Sequence, residues 1–240
     1  MLNLAYFDNT VFWEMLKVQI LTREEIDTFH RDGFVVVRNL IPAEMVAELA
    51  RDYDRATRDE FDVPVWQDRI APGKTLQLGN PSLKIPGWED HDYRKRIVQV
   101  GKELLGDDID YRYDQLIYKP PGSDVELLWH QDAGYGWPGE ANHRALTCWL
   151  ALSKATQAMG SLQFIPGSHL HGIAEHIDAT HKNPINKALE VIVDESQAVT
   201  VEYEAGDATF HHGRTLHYTS GNETDEPRRG LSTHLWPPVE

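Results

Sequence analysis

The first third of the chain carries apolar residues at helical spacing. Thr22 and Glu25 stand three residues apart, which predicts a capping box that opens a helix running through about Arg31. Gly33 would end this helix, because glycine tolerates the left-handed backbone conformation that commonly follows a last helical turn. The apolar run at positions 34–37 then predicts a buried strand.

Two further helices follow in the same region. Pro42 can open one of them, and Met45, Val46 and Leu49 form its apolar face. A third apolar periodicity spans positions 93–105. Positions 73–87 are rich in glycine and proline and predict an irregular loop. Residues 1–108 are therefore expected to be helix-rich.

The pattern changes at Ile109 into short apolar runs separated by turn residues. The predicted strands are 111–119, 126–132, 145–152, 161–165, 198–203, 208–211 and 229–236. Short strands with frequent turns are typical of a sandwich or barrel, so residues 109–236 are expected to form a β-rich core. The predicted fold class is mainly β with flanking helices.

Alternation within two of these strands indicates which side chains face the interior of the barrel. In the run 147–152, Thr147 and Trp149 share the inward parity, and Cys148 shares the outward one. In the run 228–236, Arg228 falls on the more polar parity and Arg229 on the apolar one. The pattern therefore predicts that Arg228 points inward. The same parity count places Gln115 on an inner face.

Composition and charge narrow the function classes. The chain has 240 residues and fits a single domain spanning 1–240. Its net charge of −15 disfavours binding to nucleic acids or anionic membranes. An anionic small molecule would need a local basic group, which gives weight to Arg228.

Cysteine content and hydropathy predict a cytoplasmic protein. Cys148 is the single cysteine, so no intrachain disulfide can form. The first 20 residues lack the basic start and cleavage site of a signal peptide, and no run approaches the roughly 20 apolar residues of a membrane span.

The candidate chemistry lies in His130-Gln131-Asp132 and a distant histidine. Residues two apart on an extended segment point the same way, so His130 and Asp132 can meet at one point. His217 would complete two histidines and one carboxylate, the arrangement that suits non-haem Fe(II). His211 and His212 compete with His217, which is preferred because it precedes a turn leading back to Arg228.

Each candidate also has an ordinary interpretation. A single His-x-Asp can arise by chance in a chain with 12 histidines, and Arg228 could be a surface charge paired with Asp225 or Glu226. Four further histidines lie in a loop region, where solvation or local hydrogen bonding is the usual state: His169, His171, His176 and His181. Tyr135, Trp137 and Arg144 follow the first ligand pair and are expected to border its pocket.

Several motifs together resemble the phytanoyl-CoA dioxygenase family of Fe(II)- and 2-oxoglutarate-dependent oxygenases. In chain order, the motifs are the segment from Glu24 to Leu40, Lys119-Pro120-Pro121, His130-Gln131-Asp132, the Gly160-to-His169 segment, Gly206-Asp207, and His217 through Ser220-Gly221-Asn222 to Arg228. The resemblance implies a double-stranded β-helix, the jelly-roll or cupin-like core, wrapped by helices. It also implies that His130, Asp132 and His217 hold iron.

The same resemblance implies the co-substrate site. Arg228 would bind the far carboxylate of 2-oxoglutarate, assisted by Gln115, Trp149 and Thr219. Thr219 stands where the family usually has serine, and Tyr218 replaces a usual small residue. These departures concern the local shape of the site.

Three protein ligands would leave three positions on iron, two for the 2-oxo acid and one for O2. The expected reaction hydroxylates a small-molecule metabolite and releases succinate and CO2. A carboxylate at Asp132 favours hydroxylation over halogenation. No clustered basic set suits a CoA thioester. The alternatives are a metal-binding cupin-like isomerase, which would not need Arg228, and a non-catalytic binding barrel, which would be expected to lack a ligand.

Overall fold

The computed structural model describes residues 19–65, 75–137, 143–180 and 188–238. Within these residues the helices are α1 (Arg23–Asp32), α2 (Ala43–Thr57) and α3 (Asp92–Leu105). The strands are β1 (Phe34–Val37), β2 (Leu76–Gly79), β3 (Asp110–Lys119), β4 (Leu127–His130), β5 (Leu146–Ala151), β6 (Leu162–Phe164), β7 (Ile177–Asp178), β8 (Leu189–Glu190), β9 (Val199–Thr200), β10 (Ala208–His212), β11 (His217–Thr219) and β12 (Arg228–Trp236).

The strands form two antiparallel sheets that face each other. The larger sheet has the order β1-β10-β5-β12-β3-β2, and the smaller has the order β4-β11-β6-β9. Strands β7 and β8 form a separate two-stranded ribbon. Neighbouring strands are often far apart in sequence, as in the β1–β10 and β12–β5 pairs. This architecture confirms the predicted double-stranded β-helix, or jelly-roll, core with flanking helices.

The start and end of α1 follow the predicted capping chemistry. The Glu25 amide donates to Thr22 Oγ1 at 3.2 Å, and the Thr22 amide donates to Glu25 Oε2 at 2.7 Å. These bonds satisfy backbone groups that the first helical turn leaves open. Gly33 ends the helix with a φ of 82° and donates its amide to the Phe29 carbonyl. The capping-box prediction is confirmed.

The two faces of the larger sheet bury different clusters. Its outer face packs on the helices, where Cys148 and Leu150 share a core with Leu49 of α2 and Ile97 of α3. On the inner face, Trp149 packs with the cluster between the two sheets. The alternation predicted for the run 147–152 is therefore confirmed.

Several element boundaries differ from the sequence-based prediction. The expected loop at 73–87 contains β2 and a 3-10 turn, Pro81–Leu83, because Leu76–Gly79 pairs with the edge of β3. The strand expected at 126–132 ends at His130, and Asp132 begins a 3-10 turn. Only Val199–Thr200 is paired as a regular strand in the run 198–203. Strand β11 was not among the predicted strands.

Some sequence-based predictions concern residues without a structural description. Residues 1–18 and 66–74 lie outside the described ranges, as does His181. In the part of the chain that the structure covers, none of the helices combines the length and apolar character needed to cross a bilayer.

Candidate metal centre and co-substrate pocket

The three predicted iron ligands lie close together, on two neighbouring strands of the smaller sheet and on the turn that follows one of them. His130 ends β4, Asp132 begins the following turn, and His217 begins β11. His130 and His217 are paired directly across the two strands. One ligand atom from each of the three residues lies within 4.8 Å of the others. The strand pairing thus gathers two imidazoles and a carboxylate, although Asp132 lies on a turn and not on the extended segment expected for it.

Backbone hydrogen bonds fix the orientation of both histidine rings. His130 Nδ1 lies 2.6 Å from the Leu128 carbonyl oxygen, and His217 Nδ1 lies 2.9 Å from the Thr215 carbonyl oxygen. A carbonyl accepts, so each Nδ1 must carry the proton. Each Nε2 therefore keeps its lone pair. These Nε2 atoms lie 3.7 and 3.6 Å from Asp132 Oδ1, for His130 and His217 respectively.

The protonation states suit metal binding. Burial raises the pKa of Asp132, but His217 and the other neighbouring imidazoles outweigh this effect and hold the pKa well below its ordinary value. Burial, with a smaller contribution from His130, holds the pKa of His217 well below its ordinary value. A carboxylate and a neutral imidazole are the forms that bind a metal. Two imidazoles and one carboxylate are the donor set that suits Fe(II).

The two rival histidines have other positions. His211 is buried beside His217, with ring centroids 4.5 Å apart, and its Nε2 lies 3.2 Å from Asp132 Oδ2. His212 lies 3.2 Å from the His143 carbonyl oxygen through its Nε2. Burial lowers the pKa of His212 to about 4. Among the described residues, neither belongs to the group that could hold a metal ion.

Arg228 is a buried cation with open hydrogen-bonding capacity. Its side chain is inside the protein, and its Nη1 donates to the Gly160 carbonyl at 2.5 Å and to Thr219 Oγ1 at 3.2 Å. Its Nε and Nη2 are buried without a hydrogen-bond partner in the described chain. Burial lowers the pKa of Arg228 to about 10, so it stays protonated near neutral pH.

No described carboxylate forms an ion pair with Arg228, so the alternative of a surface charge held by Asp225 or Glu226 is wrong. The adjacent Arg229 points the other way and donates its Nε to Asp54 Oδ1 at 2.6 Å. An unpaired buried charge is costly, and two free donors on one guanidinium match the two oxygens of a carboxylate. The residues present therefore fit the distal carboxylate of a 2-oxo acid.

Two of the three assisting residues predicted from the sequence, Trp149 and Thr219, lie beside this guanidinium. Arg228 Cζ lies 5.1 Å from the centre of the Trp149 ring. Thr219 Oγ1 accepts from both Arg228 and Lys119, the latter at 3.0 Å. Gln115 lies farther along the same wall, with its Nε2 3.2 Å from His234 Nε2. All of the predicted iron and co-substrate residues line one cavity of about 240 Å³.

The remaining wall of the cavity is largely aromatic and apolar. Tyr135 and Trp137 line it, as the sequence predicted. Arg144 does not line the cavity and instead forms an ion pair with Asp108, so its expected position was wrong. The other described lining residues are Gln77, Tyr113, Ile117, Leu127, Leu128, Leu162, Ala188, Leu189, Thr147, His211, Ser232 and His234.

Sequence reasoning missed four polar residues near the site. Thr147 Oγ1 donates to Asp132 Oδ2 at 2.5 Å and lies 3.0 Å from His234 Nδ1. Strand alternation placed both Thr147 and His234 on inner faces, but it did not assign them a role. His211 was considered only as a rival ligand. Lys119 was noted only as part of a motif, yet its buried Nζ donates to Thr219 Oγ1.

Comparison with known proteins agrees with this geometry. A family model described as phytanoyl-CoA dioxygenase (PhyH) matches residues 29–230. An ectoine dioxygenase of Bordetella parapertussis is 25% identical, and the alignment covers 95% of this chain and 79% of the relative.

Two solved structures carry the relevant small molecules. EvdO2 from Micromonospora carbonacea var. aurantiaca, complexed with 2-oxoglutarate, has a TM-score of 0.78 and 26% identity, covering 91% of each chain. The epimerase SnoN, in complex with Fe3+, alpha ketoglutarate and nogalamycin RO, has a TM-score of 0.70 and 27% identity, covering 89% of this chain and 82% of the other. This chain is therefore an iron- and 2-oxoglutarate-dependent oxygenase that belongs to the phytanoyl-CoA dioxygenase (PhyH) family.

Proposed function

We propose that the protein hydroxylates an unactivated C–H bond of a small-molecule metabolite, with iron held by His130, Asp132 and His217. One observation carries the proposal. The three potential ligands and the unpaired guanidinium of Arg228 line the same cavity. A metal site and an anion site in one pocket match a reaction that needs both iron and a dicarboxylic 2-oxo acid. A cupin-like isomerase would have no need for the second site.

The protein residues hold and orient the reactants. Nε2 of His130, Nε2 of His217 and Oδ1 of Asp132 would hold the iron, leaving its other coordination positions for the co-substrate and dioxygen. The bound iron would supply the activation of dioxygen. In the balanced reaction, one oxygen atom enters the substrate as hydroxyl, the other enters succinate, and the 2-oxo acid loses its carboxylate as CO2.

Arg228 would anchor the far end of 2-oxoglutarate. Its Nε and Nη2 are free to donate to the distal carboxylate as a two-pronged pair. Thr219 orients the guanidinium through Nη1, and Trp149 packs beside it. Gln115 lines the same cavity. The cation is prepositioned, so binding does not have to order a flexible side chain.

The cavity favours a small substrate over an acyl-CoA. Its volume of about 240 Å³ is small, whereas pockets for drug-sized ligands hold roughly 300–1,000 Å³. Arg228 is its one Lys or Arg among the described lining residues, and we assign that charge to 2-oxoglutarate. The phosphates of a CoA thioester would require further basic groups. Tyr113, Tyr135 and Trp137 instead offer ring faces and edges to an uncharged part of a metabolite.

A second outcome is favoured by the likeness to the epimerase SnoN. The same site could remove a hydrogen atom from a substrate carbon and deliver a hydrogen atom to the opposite face, which would leave the substrate mass unchanged. Two electrons from an external reductant such as ascorbate, with two protons, would convert the remaining oxygen atom of dioxygen to water. Incubation with a library of small metabolites separates the two outcomes. Hydroxylation adds the mass of one oxygen in a 2-oxoglutarate-dependent manner, whereas epimerisation changes only the chromatographic mobility.

The first test is succinate release from 2-oxoglutarate, with and without Fe(II). Wild-type protein should release succinate only when Fe(II) is present. Asp132→Ala should reduce the rate at least about a hundredfold, because losing a charged ligand removes the metal. Asp108→Ala is the matched control, since Asp108 is a surface carboxylate paired with Arg144. Wild-type rates in Asp132→Ala would overturn the assignment of this ligand.

A further inference from the structure

The two oxygens of the Asp132 carboxylate have different partners. Oδ1 faces the imidazoles of the metal site, at 3.7 Å from His130 Nε2 and 3.6 Å from His217 Nε2. Oδ2 is held by two other groups. Thr147 Oγ1 donates to it at 2.5 Å, and His211 Nε2 lies 3.2 Å from it. The carboxylate is thus divided between the metal site and a pair of buried donors.

The direction of these hydrogen bonds can be worked out from the buried groups. An ionised carboxylate only accepts, so His211 must carry its proton on Nε2, and the Thr147 hydroxyl must donate. The Thr147 oxygen then accepts from His234 Nδ1, at 3.0 Å. The opposite nitrogen of that ring, His234 Nε2, accepts from Gln115 Nε2 at 3.2 Å. One consistent chain of donors therefore runs from the cavity wall to Asp132.

The aromatic rings around this series of hydrogen bonds restrict the movement of its side chains. His234 stacks on Tyr113, with ring centroids 4.1 Å apart, and meets Trp137 edge-on at 5.5 Å. Thr147 sits on β5 and His234 on β12, directly opposite each other in the sheet register. Both side chains are buried. Packing and strand pairing together fix the hydroxyl that holds Asp132 Oδ2.

The number of Asp132 oxygens that bind iron determines how many of its coordination positions stay free. An octahedral iron with two imidazoles and one carboxylate oxygen has three free positions, enough for a chelating 2-oxo acid and dioxygen. If both Asp132 oxygens bound the iron, two positions would remain. The 2-oxo acid would fill both. Dioxygen would then have nowhere to bind without displacing a ligand.

We infer that Thr147 and His211 are positioning residues that keep Asp132 a one-oxygen ligand and so preserve the position for dioxygen. Gln115 and His234 hold Thr147 in the donating orientation. This inference rests on the proposed metal site and assigns a function to polar residues that neither sequence motifs nor ligand geometry identify. A purely structural role for these buried polar groups would affect folding stability but not the number of open positions on iron.

Nitric oxide is a suitable probe, because it binds the open position of Fe(II) and gives an electron paramagnetic resonance signal. The experiment compares wild-type protein, Thr147→Val, Thr147→Ser and Thr233→Val, each loaded anaerobically with Fe(II) and 2-oxoglutarate. Valine keeps the shape of threonine and removes the donor, whereas serine restores it. Thr233 is the matched control, since it is buried on the outward face of β12 and its Oγ1 has no hydrogen-bond partner in the described chain.

We expect Thr147→Val to bind nitric oxide at least about tenfold more weakly than wild type, in line with the effect of removing a partner of a metal ligand. Thr147→Ser and Thr233→Val should stay close to wild type. His211→Phe provides a second variant on another strand, should Thr147→Val fold poorly. It should weaken nitric oxide binding in the same direction.

Equal nitric oxide affinity in wild type, Thr147→Val and His211→Phe, at equal iron loading, would overturn the inference. A wild-type protein that takes up no Fe(II) would instead contradict the proposed metal site itself. Iron content measured on the same samples separates these two failures.

Discussion

At the residue scale, the informative features are atoms without partners. Strand alternation predicted that Arg228 points inward and Arg229 outward, and the structure agrees. The two unpaired donors of Arg228 could not be predicted. They follow from the positions of Gly160 and Thr219, which use up Nη1 and leave the rest of the guanidinium open.

This arrangement predicts how 2-oxoglutarate affinity depends on the guanidinium. Arg228→Ala should raise the KM for 2-oxoglutarate at least about thirtyfold, because breaking one side of a buried charged pair costs about 2–5 kcal/mol. Arg228→Lys keeps the charge but loses the paired donors, so its KM for 2-oxoglutarate should lie between those of wild type and Arg228→Ala. Arg229→Ala is the control, because Arg229 bonds to Asp54 on the outer face. An unchanged KM in Arg228→Ala would show that the co-substrate binds elsewhere.

At the element scale, β12 organises much of the site. Its inner face carries Arg228, Ser232 and His234 into the cavity, and its position between β5 and β3 makes it an interior strand. Its alternating pattern made this face predictable. Strand β11 is different, because three residues are too few for a periodic signal. Its place follows from pairing with β4 and β6, which are distant in the chain.

Gly230 on β12 marks a close approach between the strand and Trp149. A Cβ at this position would lie 2.5 Å from Trp149 Cζ2 and 2.7 Å from its Nε1. Gly230→Ala should lower the free energy of unfolding by about 1–3 kcal/mol, as overpacked cores do. It should also raise the KM for 2-oxoglutarate, because Trp149 packs beside Arg228.

Chemical denaturation of Gly230→Ala and of Gly230→Ala with Trp149→Phe measures this contact. The smaller ring should relieve part of the alanine penalty, which a double-mutant cycle detects as a coupling between the two sites. If the two changes add without coupling, the contact with Trp149 is not the source of the cost.

At the scale of the whole molecule, the order of the motifs predicted the fold class, and the structure confirms it. The order of strands within the sheets was beyond the sequence pattern. Strand β1 lies beside β10, more than 160 positions later in the printed sequence, and the edge position of β2 depends on β3. Periodicity reports which face of a strand is buried but not which strand lies beside it.

Buried histidines make the stability of the whole molecule sensitive to acid. Burial lowers the pKa of His234 to about 4 and that of His212 to about 4, from an ordinary value of 6.5. Between these pKa values, His234 and His212 are therefore protonated in the unfolded chain but not in the folded chain. The free energy of unfolding should fall as the pH drops from about 6.5 towards 4, by at most roughly 3 kcal/mol for each imidazole.

Urea denaturation at several pH values, with a chelator to remove metal, measures this loss. His234→Gln keeps a polar side chain but cannot titrate, so its stability should depend less steeply on pH between about 6.5 and 4. The pH dependence of the free energy of unfolding should differ between the two proteins by nearly the slope expected when unfolding takes up one proton. Identical slopes in the two proteins would show that His234 is not held neutral by the fold.

The proposed function requires three side chains that hold iron beside a guanidinium that anchors 2-oxoglutarate. The most direct test is the visible charge-transfer absorption that appears when a 2-oxo acid chelates Fe(II), recorded under anaerobic conditions. It requires no knowledge of the substrate. Wild-type protein should develop the band, and Arg228→Ala should need much more 2-oxoglutarate to reach it. His217→Ala should not develop it at concentrations that saturate wild type. A wild-type protein without the band, or His217→Ala with a wild-type band, would show that these three side chains do not form the iron site.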